Sequence, residues 1–335
     1  MNNLVYKLLV LLFISISVFS CKPKDQIKVG ISLGPLHERW EKDRDYLVEH
    51  LEIKGVKVVV KQANNDEATQ KEQFLDLIKE KVDVIIMVAI NGESAGALVQ
   101  VAKNNGVKVI AYDRLIKNCD LDYYVSFDNI KVGEMQADYL TRISPTGNYA
   151  ILGGSLKDQN STFLRLGQMN ILQPLITRKD INLVLDKNVD NWDPDVAYNI
   201  INNFLSESTD LDAIISSSDR ISEGVCKALK EHDLCGKILV SGQDAETEAC
   251  KRIVDGRQTM TVYKYIESLA NATTNIALEL AEDGNLPYSQ TTINNGKIMV
   301  PAIQLPNMIQ VTKENIRMTV IADGYLDEEE VFGGI

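Results

Sequence analysis

From Ile27 onward the chain alternates short apolar runs with longer stretches whose apolar residues recur at helical spacing. The runs Ile27–Leu33, Lys57–Lys61, Val84–Val88, Val107–Ala111 and Tyr123–Ser126 predict strands, being short, rich in β-branched residues and bounded by turn formers. Helices are predicted from about Glu38, over Glu67–Glu80 and Ser94–Asn104, and over Lys131–Arg142. In the first of them Leu47, Val48 and Leu51 make one apolar stripe. Gly55 and Gly106 fall at helix ends, where glycine accepts the left-handed cap conformation. Strands that are apolar throughout, each followed by a helix, imply a parallel sheet covered on both faces. The rhythm then restarts, with strands at Tyr149–Leu152, Asn182–Leu185, Ala213–Ile215 and Ile238–Ser241. The matching helices are Thr162–Leu175, Pro194–Leu205, Ser222–Glu231 and Thr247–Val254. Two successive runs without a long linker predict an α/β protein of two similar lobes, each a doubly wound parallel sheet. An extended run, Thr259–Tyr263, and a helix, Ile266–Glu282, follow. The tail from Asp327 is acidic, then glycine-containing, and reads as frayed.

The first residues break the rhythm. Lys7 precedes the apolar run Leu8–Val18, which ends in Phe19-Ser20-Cys21 and a polar stretch. The run is too short to span a bilayer, and its basic-apolar-polar order predicts a secretory signal over residues 1–20 rather than a buried strand. Cys21 after Ser20 resembles a bacterial lipobox, in which that cysteine is acylated and becomes the mature N-terminus; Phe19 is bulkier than usual there. An exported protein, lipid-anchored to the cell membrane, is expected. Length suits two domains, and 45% hydrophobic content supports real cores. A net charge of −12 without a concentrated positive patch excludes a nucleic-acid partner. Cys119, Cys226, Cys235 and Cys250 lack zinc-site spacing, and the three histidines do not cluster with them, so no metal is expected. Free, partly buried thiols are expected, with a Cys226–Cys235 or Cys235–Cys250 disulfide left open by the exported compartment.

In parallel α/β sheets ligands bind beyond the carboxyl ends of the strands. The first strand runs through Gly34-Pro35 into Arg39, Trp40 and Lys42. The next turns bring Asp113 and Arg114, then Gly153-Gly-Ser-Leu-Lys-Asp158-Gln-Asn160, Trp192, Ser216-Ser-Ser218-Asp219 and Gly242-Gln-Asp244. Both tryptophans of the chain lie in such turns. Sugars suit this collection: apolar C–H faces pack on indoles, and hydroxyls both donate to carboxylates and accept from cations and amides. No Walker ending follows Gly153-Gly154-Ser155, no GxGxxG follows the first strand, and no GxSxG elbow or nucleophile–base pair occurs, so neither catalysis nor a cofactor is expected. Single members keep plainer readings: Trp40 as a cap of its helix against the sheet, Asp193 and Asp219 as helix N-caps, Arg114 as a structural partner of Asp113.

Several of these segments resemble one family. Glu38-Arg-Trp-Glu-Lys-Asp-Arg-Asp45, Ala111-Tyr-Asp-Arg114, Ser126-Phe-Asp-Asn129, Gly167-Gln-Met169, Ser241-Gly-Gln-Asp-Ala245 and Gln258-Thr-Met-Thr-Val-Tyr-Lys264 are similar to the bacterial D-xylose-binding proteins of ABC sugar importers, from about Ile27 to Gly324. The resemblance implies the type I periplasmic-binding-protein fold, with crossovers near Phe127, Thr259 and Lys297. The lobes would then be 26–127 plus 259–297, and 128–258 plus 298–325. It implies a monosaccharide, xylose first, held by Arg39, Trp40, Lys42, Asp113, Arg114, Asp158, Asn160, Trp192, Asp244 and Lys264, with the two indoles sandwiching the ring. It also implies a monomer handing its sugar to ABC permease subunits; a sensor presenting sugar to a chemoreceptor or histidine kinase is the alternative. Ser218 departs from the family's asparagine and Arg220 from a small residue. A broader or shifted sugar preference is therefore expected at Ser218, with Arg220 on the first turn of a helix facing solvent, or else swinging in as a substitute donor.

Overall fold

The computed structural model describes residues 26–35, 37–283, 289 and 291–333; the expected signal and Cys21 lie outside them. The chain begins with β1 (Lys28–Leu33), α1 (Glu38–Ile53), β2 (Lys57–Gln62), α2 (Glu67–Lys79), β3 (Val84–Val88), α3 (Ala95–Asn104), β4 (Lys108–Tyr112) and β5 (Tyr123–Phe127). A second unit contains α4 (Asn129–Ile143), β6 (Gly147–Gly153), α5 (Gln159–Thr177), β7 (Ile181–Asn188), α6 (Pro194–Glu207), β8 (Ala213–Ser216), α7 (Asp219–Glu231), β9 (Leu239–Val240), α8 (Thr247–Val254) and β10 (Thr261–Lys264). Then come α9 (Ile266–Asp283), β11 (Thr291–Asn294), β12 (Met299–Leu305), β13 (Met308–Val311) and α10 (Glu328–Phe332).

The first lobe is a seven-stranded sheet of order β11-β12-β5-β4-β3-β1-β2, parallel except for the β11–β12 hairpin. β3 is flanked by strands on both sides and every residue of its Val-Ile-Ile-Met-Val run is buried, which is why it is apolar without alternation. The second lobe is a parallel sheet of order β7-β6-β8-β9. The antiparallel β10–β13 ribbon lies alongside it, tied by Thr259 N to Val240 O (2.9 Å) and Asp244 N to Val262 O (2.9 Å).

Three passages join the lobes, and they touch one another. The first runs through Phe127–Asn129, the second between Lys264 and Ile266, the third between Leu305 and Met308. Asp128 N bonds Leu305 O (3.2 Å), and Tyr265 N bonds Asn307 O (3.2 Å). The crossovers expected near Thr259 and Lys297 are therefore displaced. Thr259 still pairs with the second sheet, whereas Met299–Leu305 pairs with β5 in register Ala302↔Tyr124 to Leu305↔Phe127 and belongs to the first. The overlooked signal is Asn295-Gly296, a hairpin dipeptide whose glycine has φ 97°. Apolar cores cover both faces of each sheet. One of them, from Val29, Ile31 and Leu47 through Tyr263 and Val311 to Cys250 and Val331, is shared by both lobes and the hinge. Cys119, Cys226, Cys235 and Cys250 are free. Among the described residues no helix is long and apolar enough to cross a membrane.

One buried carboxyl ties the second lobe to the hinge. Ser218, not Asp219, caps α7, its Oγ accepting from Ile221 N at 3.3 Å. Asp219 turns inward instead, where Oδ1 accepts from Gln258 Nε2 (2.8 Å) and Oδ2 from Thr261 Oγ1 (2.9 Å) and Glu246 N (3.1 Å). Burial first, and Glu246 second, push this carboxyl from its ordinary 3.8 up to about 8. Between those values the folded form keeps a proton that the unfolded chain has released. Its contribution to stability is therefore complete below about pH 4 and is withdrawn as pH rises through about 8. Asp219→Asn should flatten the dependence of Tm on pH between about 5 and 8, measured by thermal melts in a buffer series. A slope identical to that of the parent protein would show that Asp219 is ionised throughout.

Candidate functional site

The carboxyl ends of β1, β4, β6, β8 and β9 meet between the lobes, around a narrow cavity. Nine of the eleven anticipated side chains line it: Arg39, Trp40, Asp113, Arg114, Asp158, Asn160, Trp192, Ser218 and Asp244. Their positions follow from local structure. Arg39 and Trp40 are the first-turn residues of α1; Asp113 and Arg114 leave β4; Asn160 opens α5 behind its N-cap Asp158; and Ser218 caps α7.

Arg39 is the hub of the wall and is 2% exposed. Its Nε donates to Asp43 Oδ2 (3.0 Å), its Nη2 to Asp113 Oδ2 (2.6 Å), and its Nη1 reaches across the cleft to Asp244 Oδ1 (3.4 Å). Burial alone would weaken this base, but Asp113, Asp43 and Asp244 overcome it and hold the guanidinium well above its ordinary value. Burial also pushes Asp43 up to about 6 against the pull of Arg39 and a hydrogen bond from Tyr112. Asp113 and Asp244 go the other way. Burial raises each, yet Arg39 with Lys264 outweighs it, and both carboxyls stay below the ordinary range.

Two further pairs cross the cleft. Arg114 Nε lies 2.9 Å from Asp158 Oδ2, and Asn160 Nδ2 donates to Asp113 Oδ1 (2.9 Å) and to its backbone carbonyl (3.1 Å). Asn129 Nδ2 in turn donates to Asn160 Oδ1 (2.9 Å), fixing that amide's orientation. Three wall residues have left-handed backbones: Asp113 (φ 63°), Trp192 (φ 58°) and Asp244 (φ 100°). Such conformations are costly for non-glycine residues and persist only where neighbours enforce them. At Asp113 the carbonyl accepts from Tyr124 Oη (3.1 Å) and Ser126 Oγ (2.9 Å) as well as Asn160, while its N–H donates to Val125 O (2.7 Å).

The indoles are held differently. Trp40 is buried, with the guanidinium of Arg39 4.2 Å and that of Arg114 5.4 Å from its ring centre. Trp192 is half-buried and lies on Gly154. A Cβ there would come 2.1 Å from Trp192 Cη2, so any other residue at 154 would lift the ring away. Gly153-Gly154-Ser155 thus serves an aromatic wall rather than a phosphate.

Lys42 and Lys264 stand outside the cavity lining. Lys42 Nζ donates to Tyr325 O (2.8 Å) and pairs with Glu38 (3.1 Å) at the seam between the lobes. Lys264 is buried behind the wall with Nζ 2.9 Å from Asp244 Oδ1, which it neutralises and orients. His37 and Gln243 line the cavity without having been anticipated as site residues, and Arg220, expected first to face solvent, lines it too. Arg220 faces the cleft rather than only solvent, and its weak partner is Glu223 at 3.5 Å. Gln243 stood in the Gly242-Gln-Asp244 turn but was passed over for its charged neighbour. Two more residue pairs bridge the lobes: His37 Nδ1 lies 2.9 Å from Glu246 Oε1, and Glu38 accepts from Thr247 N (3.0 Å) and Thr247 Oγ1 (2.7 Å). Among the described residues no cluster of metal ligands occurs.

The model of the periplasmic binding protein domain matches residues 29–285. The D-xylose-binding periplasmic protein of Escherichia coli is 44% identical over 91% of this chain and 93% of its own length. The protein of the same description from Haemophilus influenzae is 43% identical over 95% and 96%. The crystal structure of a carbohydrate transporter solute binding protein from Chloroflexus aurantiacus, in complex with D-glucose, is 32% identical. It superposes with a TM-score of 0.83 over 92% of this chain and 98% of that one. Matched by the family model and by relatives along most of its length, with two parallel-sheet lobes joined in three places, this chain belongs to the periplasmic binding protein family in its type I form and is a binding protein, not an enzyme.

Proposed function

We propose that the protein captures a neutral aldose, D-xylose first, in the cleft between its lobes and delivers it to the permease of an ABC importer. In this reading it is exported, acts as a monomer and is held to the membrane by acylated Cys21. The observation that carries it is the pairing of charge within the wall. Arg39 meets three carboxylates, Arg114 meets Asp158 and Lys264 meets Asp244. Each of these buried charges already faces an opposite charge within the protein, so a charged ligand would have to compete with one of these pairs for its partner. A hydroxylated ring would instead add hydrogen bonds to both partners of each pair. Its C–H faces suit the two indoles, in keeping with the xylose-binding and glucose-bound relatives. Because Arg39–Asp244 and Arg114–Asp158 span the cleft, a ligand touching both lobes stabilises the closed arrangement relative to an open one.

Ser218 bears on which aldose is preferred. Its Oγ is engaged in capping α7, so it lacks the second, forward-reaching hydrogen-bonding group of the family's asparagine. Asparagine is an equally good N-cap, and Ser218→Asn should keep the helix while sharpening the preference for xylose over glucose and ribose. Calorimetry with the three sugars on both forms checks this; an unchanged ratio would make the position silent. The indoles give a coarser test. Trp192→Ala and Trp40→Ala should each weaken sugar binding by ~2–4 kcal/mol, and saturating sugar should change the tryptophan fluorescence of the parent protein. Unchanged affinity in both variants would reduce the rings to packing.

The anchor rests on the apolar run Leu8–Val18 followed by Ser20-Cys21. One acyl chain gives only marginal membrane binding, so stable attachment takes more than one. Cys21→Ser should release the protein from the membrane fraction or leave it unprocessed, as read by fractionation and intact mass. Unaltered mass and partitioning would exclude acylation at this residue.

A further inference from the structure

Gln243 occupies an unusual position in the wall. It is 5% exposed and lines the cavity, yet its Oε1 is buried without a hydrogen-bond partner. The backbone on both sides is fixed. Gln243 O accepts from Asp219 N (3.0 Å), and Gly242 O accepts from Gln136 Nε2 (3.1 Å). A Cβ on Gly242 would fall 1.9 Å from Asp219 Oδ1, so the chain is pressed against that carboxyl. On the other side the strained Asp244 is tied to Val262. The main chain that presents the side chain to the cavity is thus held on both sides. An unpaired buried amide is destabilising, and such groups are rare in native proteins unless something else satisfies them.

The neighbours sharpen the point. Arg39, Asp113, Asp158, Asn160 and Asp244 all have partners within the protein. The Nε1 groups of Trp40 and Trp192 are unpartnered like Gln243, but both are donors. Gln243 thus supplies an unpaired acceptor in a wall whose carboxylates are already engaged.

We infer that Gln243 is a specificity-determining residue of the cleft, its Oε1 accepting a hydrogen bond from one hydroxyl of the bound sugar. This rests on reading the cleft as a sugar site and adds that the site demands a hydroxyl at one ring position. Discrimination of this kind is steep, because an analogue lacking the hydroxyl leaves the amide buried and unpaired.

The test combines Gln243→Met with monodeoxy sugars in a double cycle. Calorimetry is run on the parent protein and the variant, using whichever of xylose, glucose and ribose the parent binds most tightly, together with its monodeoxy derivatives. The parent protein should bind one deoxy sugar about tenfold or more weakly than the full sugar. Gln243→Met should bind the full sugar weaker by a similar factor and lose the penalty for that one deoxy position. Its Tm without sugar should equal or exceed the parent's, because methionine removes the unpaired polar atom while filling similar space. A merely structural role would lower that Tm. Full affinity in Gln243→Met, or deoxy penalties that persist unchanged in it, would overturn the inference. A preferred sugar other than xylose would revise the proposed ligand and leave this inference standing, whereas no binding of any aldose would remove both.

Discussion

A guanidinium taken out of water has to be compensated where it lies, and Arg39 is almost wholly out of water. The rest of the cleft follows from that constraint. Asp43, one turn along the same helix, takes Nε and is itself gripped by Tyr112. Asp113 takes Nη2 and must turn into a left-handed backbone to do so, with its carbonyl held by three donors. Asp244 comes from the other lobe and is shared with Lys264. The cation thus connects the first lobe, the second lobe and the hinge strand in one network. Removing any one carboxylate would leave a buried donor of Arg39 without its acceptor. The lobes are held to each other by several bonds of 2.7–3.1 Å, and the reach of Arg39 to Asp244 at 3.4 Å is the longest of the contacts between them.

Much of this was legible in the chain. Strand ends are readable wherever an apolar run stops at a Gly-Pro or an Asp, and the ligand side of a parallel sheet is fixed by strand direction. Arg39, Asp113, Asp158 and Asp244 could therefore be gathered from loops far apart in sequence. What was not legible depended on three-dimensional distance. Lys42 sits one turn from Arg39, but the helix carries it toward Tyr325 and away from the cavity. Lys264, a contact implied by the family resemblance alone, lies behind Asp244 and outside the lining. Gln243 carries no charge to attract notice, and only burial shows that its amide is unmatched. Ser218 took the cap that Asp219 was expected to make, since two adjacent cap formers compete for one helix start and sequence cannot rank them.

The same holds for the lobes. The βα rhythm located both sheets but is blind to a strand with no helix after it. The β11–β12 hairpin extends the first sheet beyond β5 through β12, and its Asn-Gly turn was the available sign. Placing β12 there moves the third passage to the Leu305–Met308 step, where it lies against the other two. Three adjacent passages bonded to one another restrict the lobes to turning about a narrow line, because a shear would have to break the bonds of Asp128 and Tyr265 together.

The contact between Glu38 and Thr247 has one more consequence. A helix start normally finds its cap in its own chain segment, and α8 has no such side-chain bond from Glu246. Its first amide is capped instead by a carboxylate of the opposite lobe. Helix order at Thr247 is thereby made conditional on the lobes being together. When they part, that N–H meets water, so its rate of hydrogen exchange with deuterated solvent records the fraction of time the molecule spends open. The protein carries, in a single peptide group outside the cavity lining, a clock of its own breathing.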